Sequence, residues 1–305
     1  MSGSSQADRV LGQGRVDLAA LTARIRAEFP DLAFARARLN DFGDDHAVVV
    51  LDDAWVFRFP RNAEVAVCSA RERRLLAALA PISPVAVPVY DHVSASGDFG
   101  GYRMIEGREL SESLFESLGA DAQDHVLDEL GRFLAALHGL PSDLAGAEGH
   151  DEAGDYVRRY RRRRARLAEA LGPALLARAD GFYAAFPAAV ASTQAVLTHR
   201  DLTEDHILLA ANSERLAGVI DFTDAVLGDP AFDFTFLWAY GDDAPARVLA
   251  SYGDAVPGLL MRSRWWFARY RLDQIWWSLN GDRDYDTASL VRGLPALFEA
   301  LRRPA

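Results

Sequence analysis

The chain has 305 residues, half of them hydrophobic and a quarter charged, the balance of a soluble globular protein with ample material for a core. Its formal charge of −11 argues against nucleic acid and favours cationic partners, and no apolar run reaches bilayer-spanning length, so no membrane partner is expected. Cys68 is the only cysteine, which rules out an intrachain disulfide and a zinc framework, and the opening residues lack signal-peptide character, so a cytoplasmic location is expected.

Residues 1–15 are small and polar and read as a loose tail. Apolar side chains at helical spacing (Leu18, Leu21, Ile25, Phe29) predict a short helix over 18–29, ended by Pro30. The pattern then changes to strands at 35–39, 47–51 and 54–59, the last two joined across Asp52-Asp53. Between the first two lies a polar turn, 40–46, with a single glycine, Gly43. In the third strand Arg58 alternates with inward Phe57 and Phe59, which leaves its side of the strand open. A helix over 63–79 carries Glu64 and Glu72, Pro81-Ile82-Ser83-Pro84 ends it, and strands at 85–93 and 101–105 flank the turn 94–100.

The rest is mostly helical. Helices are predicted over 110–118 and 122–140, with His138 as a C-terminal cap, followed by a polar loop, 146–154. Residues 156–166 carry seven arginines, but acidic residues flank them, so they read as a solvated helix face. A helix over 174–190, interrupted at Pro187, precedes a hairpin whose strands are 207–209 and 216–220. Helices over 232–240, 246–252, 258–279 and 287–302 complete the chain, and the third of these holds Trp265, Trp266, Trp276 and Trp277.

The hairpin carries the chemistry. His199-Arg200-Asp201 and His206 stand on its entry side, Asp221-Phe222 on its exit, and Gly228-Asp229-Pro230 and Asp233 follow. A carboxylate that accepts a hydroxyl proton has to sit near the ligands that hold Mg²⁺ on a triphosphate, and this arrangement brings both kinds of group together. Asp229 and Asp233 read as structural, in a turn and the first turns of a helix.

The first half matches the kinase catalytic-loop pattern H-R-D-x-x-x-x-N with His206 in the Asn place, and Ile220-Asp221-Phe222 stands where protein kinases carry D-F-G. With Gly228-Asp229-Pro230 and Asp233, the stretch closely resembles the aminoglycoside phosphotransferase family. His206 and the ending D-P-x-x-D-F look like its 2''-aminoglycoside and macrolide branch.

The resemblance implies an α+β, two-lobed protein-kinase-like fold, with a nucleotide-binding lobe over residues 1–107 and a helical lobe over 108–305. It implies an enzyme that moves the γ-phosphate of ATP or GTP to a hydroxyl of an aminoglycoside, giving resistance by O-phosphorylation. Asp201 would accept the hydroxyl proton, and His206 and Asp221 would hold Mg²⁺. Arg58 takes the place of the phosphate-binding lysine, since the chain has no lysine, with Glu72 as its partner. Backbone groups of Arg103, Met104 and Ile105 would meet the purine.

For the acceptor, the loop carboxylates Glu204, Asp205, Asp242 and Asp243 would attract a polycation. Macrolide 2'-phosphorylation is the alternative, for which a tryptophan wall at Trp277 would suit. A regulatory nucleotide-binding module is a further alternative, against which the retained Asp201 and Asp221 speak.

Overall fold

The computed structural model describes residues 16–40, 45–144, 152–192, 194–253 and 256–302. The expected tail, Gly43 and most of the 146–154 loop lie outside the described residues.

Helix α1 (Leu18–Glu28) starts on Asp17, whose carboxylate accepts the N–H of Ala19 at 2.9 Å. It packs on a five-stranded antiparallel sheet made of β1 (Ala37–Asn40), β2 (His46–Leu51), β3 (Trp55–Pro60), β4 (Tyr90–Val93) and β5 (Gly100–Arg103), in the order β1-β2-β3-β5-β4. Asp52 and Asp53 turn β2 into β3 with φ of 51° and 55°, the left-handed pair that matches strand twist. Leu21 and Ile25 of α1 share a core with Val49, Leu51, Phe57, Phe59 and Phe99. The strand expected over 85–93 shortens to β4, because Pro84 and Pro88 withhold the N–H groups a ladder needs.

Helix α2 (Ala63–Leu79) lies between β3 and β4 in the chain and belongs to both halves of the molecule. Its Glu72 turns toward β3, whereas Leu75, Leu76 and Leu79 join the core of the helical lobe beside Leu130, Phe133 and Phe222. That lobe contains β6 (Arg108–Glu109), α3 (Glu112–Glu116), α4 (Ala120–His138), α5 (Glu152–Ala189), β7 (Val196–Thr198), β8 (Ile207–Leu209), β9 (Leu216–Val219), β10 (Val226–Gly228), α6 (Ala244–Tyr252), α7 (Leu259–Asn280) and α8 (Thr287–Ala300). The molecule therefore has a small antiparallel-sheet lobe and a larger helical one.

The predicted hairpin is β8–β9, extended by β6 into three strands, while β7 pairs with β10 beneath it. Its backbone also meets the linker before β4. Val219 donates to the carbonyl of Ala86 at 2.9 Å, and a Cβ on Gly218 would sit 2.4 Å from that same oxygen, so only glycine fits.

The arginine-rich segment and the 174–190 segment are two helices, as expected, grouped together as α5; they meet at Gly172, whose backbone (φ 66°, ψ 170°) is not helical, and Pro173 opens the second. Two helix expectations change. Pro187 does not end that second helix, because in the last turn it forfeits little of the hydrogen-bond ladder. Residues 232–240 form two 3-10 turns, Pro230–Phe232 and Phe236–Tyr240, instead of a helix. Between them Asp233 is drawn to the loop before β8. No helix among the described residues is long and apolar enough to cross a membrane.

Helix α4 packs closely on α6 at Gly131, where an added Cβ would lie 2.4 Å from the Val248 carbonyl. Gly131→Ala is expected to destabilise the fold by about 1–3 kcal/mol through overpacking. Gly293→Ala, in α8 with no atom within 4 Å of its added Cβ, is expected to be neutral or stabilising. Thermal unfolding of both variants checks the contrast, and equal melting temperatures would contradict it.

Candidate active site

The loop between β7 and β8 is shaped by Asp233. One of its carboxylate oxygens accepts the His199 N–H at 2.7 Å and the other accepts the Arg200 N–H at 2.9 Å. His138 Nε2 lies 3.0 Å from the first of these oxygens, and its Nδ1 lies 3.0 Å from the Tyr252 hydroxyl. His138 thus serves the loop rather than capping its own helix, which ends through Gly139 donating to the Ala135 carbonyl. Burial alone would raise the Asp233 carboxyl, but His138 and the backbone donors hold it below its ordinary range. With Asp233 as a fixed anchor, Arg200 adopts φ 73°, a left-handed conformation costly for any residue other than glycine.

His199 continues the frame toward Asp221. Its Nε2–H donates to the Ile220 carbonyl at 3.0 Å, and burial keeps its ring neutral. Asp221, the next residue, also has a positive φ of 63°. The two left-handed residues, Arg200 and Asp221, therefore sit on the two loops that His199 ties together.

His206 lies between the two aspartates. Its Nδ1 is 2.7 Å from the Asp201 carbonyl oxygen and 3.3 Å from the Asp201 carboxylate. The carbonyl can only accept, so Nδ1 carries a proton, and Nε2 stands 3.9 Å from Asp221 Oδ2. Two ligands of one Mg²⁺ at about 2.1 Å each can stand up to roughly 4.2 Å apart, so this spacing fits a shared ion. Among the described residues no group of three or more His, Cys, Asp or Glu side chains forms a metal cage. An ion here would complete its shell with water and phosphate oxygens, as Mg²⁺ commonly does.

Arg58 meets Asp221 from the other lobe. Its Nη2 donates to Asp221 Oδ1 and to Thr223 Oγ1, both at 2.7 Å, and its Nη1 donates to Glu72 Oε1 at 2.9 Å. Glu72, not Glu64, is thus the partner. Arg58 is 6% exposed, so the face of β3 expected to be open is closed by α2 and the β9–β10 loop. Burial works against ionising Asp221, yet Arg58 and then His206 outweigh it and hold the carboxyl well below its ordinary range. Asp221 Oδ1 therefore faces the guanidinium, and Oδ2 faces His206.

The other expected residues divide. The Met104 N–H is spent on the Ala54 carbonyl at 2.9 Å and is not available to a purine, and the Arg103 guanidinium stacks 4.1 Å over the Trp55 ring. Ile105 leans on Gly218. Trp277 lines the cavity that contains Asp201, a space of about 210 Å³ bounded also by Tyr156, Phe236, Tyr270, Arg159, Arg200 and Arg269. Glu204 and Asp205 occupy the 3-10 turn just before β8. Asp205 is 3.8 Å from Arg283, and burial followed by Asp205 raises the Glu204 carboxyl. Asp242 is elsewhere: it lines a second cavity of about 360 Å³ with Glu112, Trp238, Arg264, Arg271 and α8. Asp243 stands at the start of α6.

Four residues escaped the sequence reading. Thr223 and His46 touch Arg58, Thr235 brings a buried hydroxyl without a hydrogen-bond partner to the cavity wall, and Asp224 lines the same cavity as Asp201. Only Asp224 had a signal, a second carboxylate three residues after Asp221. Burial, then Asp201, Asp45 and Asp221, push its carboxyl up to about 6, with Arg200 opposing them.

The chain resembles known proteins over most of its length. Residues 36–265 match the family model described as APH, phosphotransferase enzyme family. An uncharacterised Bacillus subtilis protein, YcbJ, is 27% identical over 241 residues, covering 72% of this chain and 75% of the relative. The GDP and kanamycin complex of APH(2")-IIia superposes with a TM-score of 0.71 at 24% identity, over 93% of this chain and 99% of the other. Macrolide 2'-phosphotransferase MphH from Brachybacterium faecium gives 0.60 at 27% identity, over 95% and 99%. These two solved structures share the fold.

Asp224 sets a pH test of the ligand-free protein. Its raised value means that the folded state favours the protonated form, so this contribution to stability is present below about 3.8 and is lost as pH rises through about 6. Asp224→Asn is expected to melt higher than the parent, with an advantage that grows between about pH 4 and 6 and levels off above. Melting curves in EDTA across that range check it, and a pH-independent difference would contradict it.

Proposed function

This chain belongs to the APH phosphotransferase enzyme family, and on that premise we propose that it transfers the γ-phosphoryl group of ATP or GTP to a hydroxyl of an antibiotic-type small molecule. One observation carries the reading: the His206 ring stands between Asp201 and Asp221, and Arg58 binds the far oxygen of Asp221. A carboxylate, a hard-oxygen ligand with an imidazole beside it, and a buried cation thus come together where Arg58 of the small lobe meets Asp221 of the helical one.

In this reading Asp201 accepts the proton of the acceptor hydroxyl as its oxygen bonds to the γ-phosphorus and the β–γ bridge breaks. The half-exposed carboxylate of Asp201 lies where a hydroxyl can reach it. Arg58, held by Glu72, places positive charge at the phosphates, and backbone of the 103–105 segment other than the Met104 N–H meets the base. Mg²⁺ bound by His206 Nε2 and Asp221 Oδ2 would neutralise charge on the β- and γ-phosphates. Catalysis then rests on positioning and on preorganised charge.

An aminoglycoside is the acceptor we propose. Glu204 and Asp205 stand in the 3-10 turn that follows Asp201 in the chain, and Glu204 feels further negative charge from Glu112 and Glu109, a setting that favours ammonium groups. Trp277 and Tyr270 offer flat faces on which sugar rings can lie. A macrolide is the second reading, favoured by Arg159, Arg200 and Arg269 around the same cavity, which offset the carboxylates near Asp201.

Asp201→Asn is expected to keep nucleotide binding and to lower kcat by roughly 10²–10⁴. Near-parental kcat on the preferred drug would remove Asp201 from its role. KM at low and high salt separates the acceptors. Aminoglycoside KM should rise with salt, because exposed charge pairs are screened over about 8 Å at physiological ionic strength. Salt-insensitive turnover of a macrolide, without aminoglycoside activity, would reverse the order.

A further inference from the structure

The arginine at position 58 asks more of its surroundings than a lysine would. A guanidinium is a flat fork of five N–H donors, and when buried it needs acceptors in its plane, whereas an ammonium carries three donors that rotate freely. Glu72 and Asp221 meet two directions of that fork. Two further side chains, neither part of the sequence pattern for phosphoryl transfer, meet the Nη2 edge.

The first is His46, the opening residue of β2, 4% exposed, with its Nδ1 3.2 Å from Arg58 Nη2. Arginine can only donate, so Nδ1 accepts; Nη2 has two hydrogens, one for His46 and one shared between Asp221 Oδ1 and Thr223 Oγ1, which lie 2.9 Å apart. The other ring nitrogen is consistent with this. Ser69 Oγ spends its proton on the Val65 carbonyl at 2.9 Å and therefore accepts from His46 Nε2–H at 2.8 Å. One tautomer of a neutral ring satisfies both contacts. Helix α2 consequently grips Arg58 twice: directly through Glu72, and through Ser69 and His46 three residues earlier on the same buried face.

The second is Thr223, in the place that follows Asp221-Phe222, where the protein-kinase pattern D-F-G has glycine. Glycine offers no side-chain acceptor. Thr223 Oγ1 receives Arg58 Nη2 at 2.7 Å and donates its own proton to Asp221 Oδ1 at 2.9 Å, closing a three-membered ring of contacts.

Building on the proposed phosphate role of Arg58, we infer that His46 and Thr223 are positioning residues that adapt this nucleotide site to an arginine. They fix the plane of the guanidinium so that its charge lies over Asp221 and toward the phosphates. Neither needs to touch the nucleotide. Their value depends on the second nitrogen of the fork, and a lysine at position 58 would leave them nothing to hold.

The test is a double-mutant cycle on binding of MgATP and MgGTP, measured by calorimetry with full-length protein. His46→Leu and Thr223→Val, each keeping approximate shape without the acceptor, should weaken binding about tenfold in the Arg58 protein, the worth of one hydrogen bond to a charged group. In an Arg58→Lys background each should cost less than about twofold, the range of additive error. His46→Asn and Thr223→Ser, which restore an acceptor, should recover most of the loss. Equal penalties in the arginine and lysine backgrounds, with no recovery by Asn or Ser, would overturn the inference and mark both residues as packing alone. Arg58→Ala with unchanged nucleotide affinity would instead overturn the phosphate role itself, and the inference with it. Melting temperatures of every variant show that the proteins compared are folded.

Discussion

Burying the Arg58 guanidinium between carboxylates of both lobes is the interaction on which the rest of the site depends. A charge taken out of water costs several kcal/mol unless partners surround it. Here Glu72 comes from α2 and Asp221 from the loop after β9, so the small lobe cannot shift against the hairpin without stranding a charge. Leu75, Leu76 and Leu79 strengthen that link by carrying the far end of α2 into the helical lobe's core. The orientation of the Asp221 carboxylate follows: one oxygen is fixed by Arg58, and the other is left facing His206.

A second buried carboxylate holds the opposite side. Asp233 binds two successive backbone N–H groups of the loop before Asp201, and His138 and Tyr252 secure it from behind. Such an anchor allows Arg200 and Asp221 to keep left-handed backbone without glycine, which turns the Asp201 and Asp221 side chains toward the same ring of His206. Rigid frames of this kind suit phosphoryl transfer, where placement of charge matters more than covalent chemistry by the protein.

Much of this was legible in the sequence because the chemistry is written in local order. His199-Arg200-Asp201, His206 and Asp221 lie within one hairpin, and turn residues with flanking apolar runs were enough to bring them together. The resemblance of the residues around Glu72 to the family also favoured it over Glu64. What stayed hidden is contact at a distance. Arg58 and Asp221 are 163 residues apart, and strand alternation reports which side chains share a face but not what will cover that face. His138 looked like a cap because its helix ends there, while its real partner, Asp233, lies 95 residues on. Asp242 looked like part of an acidic acceptor wall because loops were counted by charge, yet the fold turns it to a different cavity.

The acceptor side is more balanced than composition implied. Around Asp201, arginines from α5 and α7 stand among the carboxylates and aromatic rings, so the overall charge of −11 is not concentrated at the cavity. On the proposed reading, attraction for a polycation comes from Glu204 and Asp205 in the turn after Asp201, and contact with ring faces from Tyr270 and Trp277. Phosphorus NMR of the parent with MgATP or MgGTP and a drug panel tests the central claim most directly. The account predicts a new phosphate-monoester resonance growing in step with loss of the γ-phosphate signal and with formation of nucleoside diphosphate. Bound nucleotide that yields no monoester with any acceptor, or only inorganic phosphate, would contradict it and leave a nucleotide-binding module in place of a phosphotransferase.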